Sequence, residues 1–272
     1  MSREAGRARA RTERAFHAGE SECVFVQNQD LLKLKKIKTK YKTMPKKTIV
    51  IDLGGSILSP KLGQINFRLL ANFKKIIRRE SKINRFIVVV GGGGLARAYQ
   101  NRARDINIKK NEDLDWLGIR STQLNAEFLR IFLGELAYPD LITSENQKFK
   151  WRKGVLISGG WDPGHSTDYI AIRLAGRYKA EKIIIGTNID FLYDSDPKKN
   201  PEAKKIKQIS WSDFYKTANR EWEPGMSVPL DPKAAKLGKD KKIPLLFLNG
   251  KNVTNLAKAI AGQPFRGTTI SG

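Results

Sequence analysis

The sequence predicts an α/β fold with three layers, in which helices cover both faces of a mostly parallel central sheet. Strand-like apolar runs alternate with amphipathic helical segments along the chain, an order that is typical of parallel sheets. Four of these runs, at 48–53, 86–90, 154–158 and 182–186, end directly in turns of glycine or small polar residues. Because the turns that follow parallel strands line one edge of a sheet, we expect a ligand-binding site at that edge.

The first half of the chain gives this pattern in order. Strand 48–53 leads to a helix over 66–80, strand 86–90 follows, and two further helices are predicted over 95–105 and 113–134. In the last of these helices, apolar side chains at helical spacing are expected to face the core: Leu117, Leu124, Phe128, Ile131 and Phe132.

The second half of the chain continues the alternation after a short strand at 140–143. Strands are predicted at 154–158, 182–186, 243–248 and 267–270. Helices are predicted over 167–178, 210–218 and 252–260, with an irregular segment at 190–208. A further helix begins at Asp231-Pro232, because aspartate is a favoured N-cap residue and proline a favoured first helical residue.

The composition favours a folded domain that attracts anions. Of the 272 residues, 40% are hydrophobic, which suffices for a core, and 51 basic against 27 acidic side chains give a formal charge of +24. Such a charge attracts nucleotides, nucleic acids or acidic membrane surfaces. No nucleic-acid-binding motif is present, so we interpret the excess as a lysine-rich surface and do not expect a nucleic-acid partner.

Other classes of protein are disfavoured by what the sequence lacks. The single cysteine, Cys23, excludes a disulfide framework and a cysteine-based zinc site within one chain. A reducing cytoplasm fits this cysteine usage, and we expect no membrane partner because no apolar stretch approaches the length of a membrane span. Residues 1–45 are rich in arginine and lysine and lack a core pattern. They are predicted to be a disordered basic extension or to precede the true start of translation, and residues 46–272 are predicted to form a single domain.

Two glycine-rich turns are the first candidate anion sites. Gly54-Gly55-Ser56 follows the first strand, and its backbone amides suit a phosphate, although a plain tight turn explains the same residues. The run 91–94 opens a helix, whose N-terminal amides and nearby Arg97 suit an anion. A Rossmann dinucleotide site is disfavoured, because its ribose-binding acid would be Asp113 or Asp115, and both fall at the start of a helix.

The segment 161–168 is the most distinctive stretch of the chain. Pro163-Gly164 is typical of a turn, and Ser166, Thr167 and Asp168 suit the cap of the next helix. We interpret His165 as a loop-shaping residue, because transfer to an existing phosphate needs no general base.

Two later segments supply acidic, aromatic and basic candidates. The segment after strand 182–186 has groups that suit water-mediated Mg²⁺ binding and packing on a purine: Asn188, Asp190, Tyr193, Asp194 and Asp196. Lys236 lies in the second turn of the helix that begins at Asp231-Pro232, where it suits a transferring phosphoryl group. The P-loop motif and the protein-kinase signatures are both absent from the sequence.

Taken in order, these motifs resemble the amino-acid kinase superfamily and, within it, the archaeal-type uridylate (UMP) kinases. The resemblance runs from about residue 46 to the end of the chain. It rests on seven motifs in register: Asp52-Leu-Gly-Gly-Ser56, Val90-Gly-Gly-Gly-Gly-Leu-Ala-Arg97, Asp115-Trp-Leu-Gly-Ile119, Gly159-Gly160 with Pro163-Gly-His-Ser-Thr-Asp168, Thr187-Asn-Ile-Asp190 with Tyr193 and Asp196-Pro-Lys-Lys, Asp231-Pro-Lys-Ala-Ala-Lys236, and Gly267-Thr-Thr-Ile270.

The resemblance implies a kinase that transfers the γ-phosphoryl group of ATP to UMP, giving UDP and ADP. Lys236 would neutralise charge at the reacting phosphate, and Asp168 would orient this lysine or the metal. ATP would be held by Gly54, Gly55, Ser56, Gly93, Arg97, Asn188, Tyr193 and Asp196, and Arg97 would also lie beside UMP. UMP would be held by Gly92, Asp115, Asp162, Pro163, Gly164, His165, Ser166, Thr167 and Asp168. The nucleotide phosphates would supply most of the Mg²⁺ ligands, so no metal ligand is assigned to the protein. The family also implies a homo-oligomer, usually a hexamer.

Several positions depart from the family pattern, and they leave alternatives open. Asp52 and Gly94 stand where lysine is common, Trp161 stands where a small residue is usual, and Asp162 lies in the acceptor turn. One alternative is a sister kinase of the same fold that acts on isopentenyl phosphate, carbamate or an amino acid, and His165 fits the first of these. The other is a non-catalytic protein that binds or stores a nucleotide or an oxyanion.

Overall fold

The computed structural model describes residues 46–195, 200–218 and 230–272, so the predictions for residues 1–45 lie outside the described residues. The strands are β1 (Lys47–Leu53), β2 (Asn84–Val90), β3 (Ala137–Ile142), β4 (Val155–Ser158), β5 (Lys182–Thr187), β6 (Leu192–Tyr193), β7 (Lys205–Ile206), β8 (Gln208–Ser210), β9 (Leu245–Asn249) and β10 (Thr268–Ser271). The helices are α1 (Gly55–Leu58), α2 (Phe67–Glu80), α3 (Gly93–Asp105), α4 (Asn111–Leu133), α5 (Thr167–Arg177), α6 (Trp211–Ala218), α7 (Pro232–Lys241) and α8 (Val253–Ile260).

One large sheet contains eight of these strands, in the order β3-β4-β2-β1-β5-β9-β10-β8. The strands from β3 to β9 in that order are parallel to one another. Strand β10 is antiparallel to β9 and parallel to β8, and a separate antiparallel ladder joins β6 to β7. The turns that follow β1, β2, β4 and β5 therefore open at the same edge of the sheet.

Helices cover both faces of the sheet, which confirms the predicted three-layer fold. Ile49 and Ile51 of β1 pack into a hydrophobic cluster with α1, α2, α4 and α8. Val50, which points to the other face, packs into a second cluster with α5, α6 and α7. Each fully buried Leu, Ile, Val or Phe in these clusters stabilises the fold by roughly 1.5–3 kcal/mol relative to an exposed one, so the two clusters hold the layers together.

The predicted strands and helices have observed boundaries within about three residues of those expected. The structure adds α1, where the sequence predicted only a turn, and β6, β7 and β8, where it predicted an irregular segment up to residue 208. These elements have two to four residues each, which is too short for a hydrophobic period to appear. No helix among the described residues has the length and apolar character needed to cross a bilayer.

The prediction for the inward face of α4 was wrong at two positions. Leu124 and Ile131 were expected in the core, but their side chains are 60% and 64% exposed. The buried face of α4 carries polar Thr122 and Asn125 among its apolar residues. Because these two polar side chains interrupt the true core stripe, the neighbouring apolar stripe looks equally buried in the sequence.

Candidate functional site

Four turns meet at the carboxyl edge of the central sheet. They follow β1, β2, β4 and β5, which are neighbours in the sheet. The Gly54 amide donates to the Gly186 carbonyl at 3.0 Å, and the Gly91 amide donates to the Leu53 carbonyl at 3.2 Å. The fold thus brings together the turns that the sequence singled out.

Close backbone packing explains three of the four consecutive glycines. A Cβ on Gly91 would lie 2.4 Å from the Gly55 amide nitrogen, and a Cβ on Gly93 would lie 2.3 Å from the Gly55 carbonyl oxygen. A Cβ on Gly94 would lie 2.5 Å from backbone atoms of Lys61. Gly93 also has a φ of 61°, which glycine adopts without strain. These glycines therefore let the turn after β1 lie directly on the turn after β2.

The loop between α1 and α2 lies over the start of α3. The Gly94 amide donates to the Ser59 carbonyl at 2.6 Å. Arg97 is exposed on α3, and its guanidinium donates to the Pro60 carbonyl at 3.0 Å. A cation and a helix N-terminus are therefore adjacent at this point, an arrangement that favours anion binding.

Two polar side chains of helix α4, which the sequence had not marked as site residues, bond the glycine-containing turns after β2 and β4. The Asn125 carboxamide donates to the carbonyls of Gly91 and Gly92 at 2.9 and 3.0 Å. The Thr122 hydroxyl accepts a hydrogen bond from the Gly160 amide at 2.6 Å. The sequence shows two polar residues three positions apart next to apolar core residues, but it does not show which turns these residues bond.

The turn of residues 162–168, called the acceptor turn after its predicted role, is fixed between α4 and α7. The Gly164 amide donates to the Asp115 carboxylate at 2.8 Å, and the Lys233 ammonium donates to the Gly164 carbonyl at 2.9 Å. The Ser166 hydroxyl accepts from the Tyr169 amide as the N-cap of α5 and donates to the Asp231 carboxylate. Asp231 in turn caps α7, as its sequence position predicted. Asp115 and the acceptor turn, which lie far apart in the sequence, are therefore in direct contact.

Aromatic side chains pack beside the acceptor turn. Trp161 is 7% exposed, and its indole N–H donates to the Ile142 carbonyl and the Ser158 hydroxyl. The His165 ring stacks on Tyr169 with a centroid distance of 4.4 Å. A cavity of about 30 Å³ lies beside these rings and is lined by Glu145, Trp161, Asp162, His165, Tyr169, Ile170 and Arg173.

The remaining candidates lie on the β5 side of the site. Asn188 is exposed directly after β5, and Tyr193 is half-buried in β6. Asp190 forms an ion pair with Arg266 at 2.9 Å, so this carboxylate already has a cationic partner. Asp196 lies outside the described residues.

Acidic groups gather where β1, α5 and α7 meet. Asp168 is half-buried in the first turn of α5, and burial raises its pKa well above the ordinary value, with further raising by the charges of Asp52 and Asp231. Lys236 is exposed in the second turn of α7. The described residues contain no cluster of three or more His, Cys, Asp or Glu side chains that would hold a metal ion.

Comparison with known proteins gives consistent matches over this part of the chain. Residues 47–249 match the model of the amino acid kinase family. The uridylate kinase of Thermococcus kodakarensis is 36% identical over 220 residues, which cover 79% of this chain and 96% of that protein. The uridylate kinase of Pyrococcus abyssi is 33% identical over 225 residues, which cover 82% and 98%.

Solved structures show the same similarity. The crystal structure of uridylate kinase from Archaeoglobus fulgidus superposes with a TM-score of 0.71 at 33% identity and covers 82% of this chain and 99% of its own. A UMP kinase from Bacillus anthracis, at 22% identity and a TM-score of 0.67, shares the fold.

Proposed function

Because the chain belongs to the amino acid kinase family, we propose that it transfers the γ-phosphoryl group of ATP to UMP, giving UDP and ADP. The observation that carries the proposal is the similarity to uridylate kinases over nearly their whole length. The convergence of four turns at one sheet edge supports it, because a kinase must hold two phosphorylated substrates side by side.

The site divides into a donor side and an acceptor side. On the donor side, ATP is held by the turns after β1, β2 and β5, through Gly54, Gly55, Ser56, Gly93, Arg97, Asn188, Tyr193 and Asp196. On the acceptor side, UMP is held by Gly92, Asp115, Asp162, Pro163, Gly164, His165, Ser166, Thr167 and Asp168. The Asp115–Gly164 hydrogen bond supports this division, because it joins two acceptor segments that are 49 residues apart.

Phosphoryl transfer between two nucleotides mainly requires that the protein position them and compensate their negative charge. The acceptor oxygen is already anionic, so the protein aligns the two nucleotides and offsets their repulsion. Backbone amides at the start of α3, Arg97 and Lys236 supply the positive charge. Lys236 acts at the transferring phosphoryl group, and Asp168 orients it.

A magnesium ion fits this site only if the nucleotides provide most of its ligands. The described residues offer no three-ligand cluster, whereas Mg²⁺ is commonly held by substrate phosphates with few protein ligands. When bound, the ion neutralises phosphate charge.

We also propose that the protein is a cytoplasmic homo-oligomer, with a hexamer expected from the family. Support comes from an exposed apolar face formed by Phe67, Leu124 and Ile131, beside which the half-buried Phe128 ring lies 6.4 Å from the Phe67 ring. Residues 46–272 carry the activity and residues 1–45 are dispensable for it, because the match to the amino acid kinase family spans residues 47–249.

An acceptor panel tests the proposed function. The purified full-length chain is assayed with ATP and Mg²⁺ against UMP, CMP, isopentenyl phosphate, carbamate and glutamate. We expect UMP to give the highest kcat/KM. Preference for isopentenyl phosphate, carbamate or glutamate would assign a sister kinase instead, and ATP binding without turnover on any acceptor would assign a binding or storage protein.

A further inference from the structure

Asp52 is a buried acidic side chain to which the proposed reaction assigns no role. It lies near the carboxyl end of β1 and is 1% exposed. Neither of its carboxylate oxygens accepts a hydrogen bond of ordinary geometry from any described residue. An ionised carboxylate in that position is disfavoured, because burial removes its hydration and no cation among the described residues pairs with it.

The groups that face Asp52 come from α5, from α7 and from the neighbouring strands. Helix α5 brings the Thr167 hydroxyl and the Asp168 carboxyl beside it, and Asp231 at the start of α7 adds a negative charge near Asp168. On the adjacent strands, Val89 and Ile185 pair with Asp52 and contribute only apolar side chains. On α7, Lys233 donates to the Gly164 carbonyl, and Lys236 is exposed in the second turn.

Two carboxyl groups in contact form a hydrogen bond only when one of them carries a proton. A carboxylate accepts hydrogen bonds and donates none, so two ionised side chains at this position would repel each other. Burial raises the pKa of Asp52 to about 6, with Asp168 and Thr167 lowering it in part, and the pKa of Asp168 is also raised. Both shifts point the same way as the geometry, toward a retained proton.

We propose that Asp52 is a positioning residue that shares one proton with Asp168, so that the two side chains carry a single negative charge at the phosphoryl-transfer site. Through the shared proton, Asp52 donates a hydrogen bond to Asp168, and this bond fixes the orientation of the Asp168 carboxyl group toward the nucleotides. The shared proton also removes one unit of charge from a site that must accept two anionic substrates. The effect on transfer rests on the proposed kinase function, whereas the shared proton itself does not.

The first test uses the ligand-free full-length chain. Infrared difference spectroscopy across a pH titration detects the C=O stretch of a protonated carboxylic acid. We expect the wild type to show such a band, which weakens as the pH rises through about 6 and disappears only at higher pH, and we expect Asp52→Asn to lack it. Asp240→Asn, which alters an exposed acid on α7, serves as the control and should keep the band. A wild type without the band at about pH 5–6 would overturn the proposal.

Stability gives a second test that is independent of activity. The pKa of Asp52 is higher in the folded chain than in the unfolded chain. The protonated Asp52 side chain therefore contributes fully to the free energy of unfolding at low pH, and this contribution is lost as the pH rises through about 6. The unfolding free energy of the wild type should therefore decrease over this range, and that of Asp52→Asn should decrease less. Equal pH dependence in the two proteins would contradict a shared proton.

Kinetics then tests the positioning role. We expect Asp52→Ala to lower kcat about tenfold with little change in the KM for ATP, and Asp52→Asn to recover part of this loss, because asparagine still donates to Asp168. The alkaline limb of the kcat profile should also move to higher pH in Asp52→Asn. Equal kcat values for Asp52→Ala and the wild type would show that Asp52 has no positioning role. Failure of the acceptor panel would reject the kinase proposal and leave the spectroscopic result unaffected.

Discussion

At the scale of single residues, Gly164 shows how a short turn joins distant parts of the chain. Its amide donates to Asp115 on α4, and its carbonyl accepts from Lys233 on α7. With a φ of 78°, it adopts a conformation that a side chain would strain. The proposed acceptor side is therefore held by two side chains, Asp115 and Lys233, that bond the backbone of one residue.

Lys236 carries the prediction at this scale. Lys236→Ala should lower kcat for phosphoryl transfer to UMP at least about tenfold, because it removes a cation from the charge that develops in the transition state. The KM for ATP should change much less. Steady-state kinetics with Lys258→Ala, an exposed lysine on α8, as the control would measure this. Turnover equal to that of the control would show that Lys236 has no role in transfer.

Individual site residues were predictable only where a motif marked them. Asp231 as a helix cap follows from its position before Pro232, and the structure confirms it. The support that Asn125 and Thr122 give to the glycine-rich turns did not follow, because a hydrogen bond across 34 or 38 positions leaves no local pattern. The neighbours of Asp52 were equally hidden, since a strand that is buried on both faces does not reveal which helix covers each face.

At the scale of secondary structure, the turn after β2 has little freedom to change. Gly93 combines a positive φ with backbone oxygens of Gly55 and Ser59 at 2.3 and 2.4 Å from the position of a Cβ. The turns after β1 and β2 therefore behave as one packed unit. A change in either turn displaces the other.

Gly93→Ala should destabilise the protein by about 2–4 kcal/mol, because backbone strain and a steric clash act together. Gly63→Ala is the matched control, since Gly63 has a φ of 72° but open space around its Cβ position. The control should cost about 1–2 kcal/mol from strain alone. Urea unfolding of both variants measures the difference, and equal losses would show that the packing of the two turns contributes nothing.

Elements with a long, uninterrupted period were predictable, and the exceptions have a physical cause. Strands β1, β2 and β5 appear in the sequence as continuous apolar runs, because both faces of a parallel strand are buried. The buried face of helix α4 was predicted wrongly because this helix has two apolar stripes. One of them, with Leu124 and Ile131, remains exposed. A sequence does not tell whether such a stripe meets its own core or another chain.

At the scale of the whole molecule, the exposed stripe on α4 leads to the prediction for assembly. Leu124→Asp and Ile131→Asp should convert the oligomer to smaller species, because a buried charge without a partner disfavours the contact. Light scattering coupled to gel filtration measures the mass. Ile106→Asp, which alters an exposed apolar residue at the end of α3, should leave the mass unchanged. An unchanged mass in all three variants would place the oligomer contact elsewhere or show a monomer.

The position of β10 has a consequence for how the protein is made. This strand occupies residues 268–271, yet it lies inside the sheet, between β9 and β8. While a ribosome is still synthesising those residues, β9 lacks its antiparallel neighbour and β8 has no strand to join. The nascent chain thus reaches its native hydrogen-bonding pattern only after residue 271 has left the exit tunnel, and until then β9 presents an unpaired edge to chaperones and to other chains.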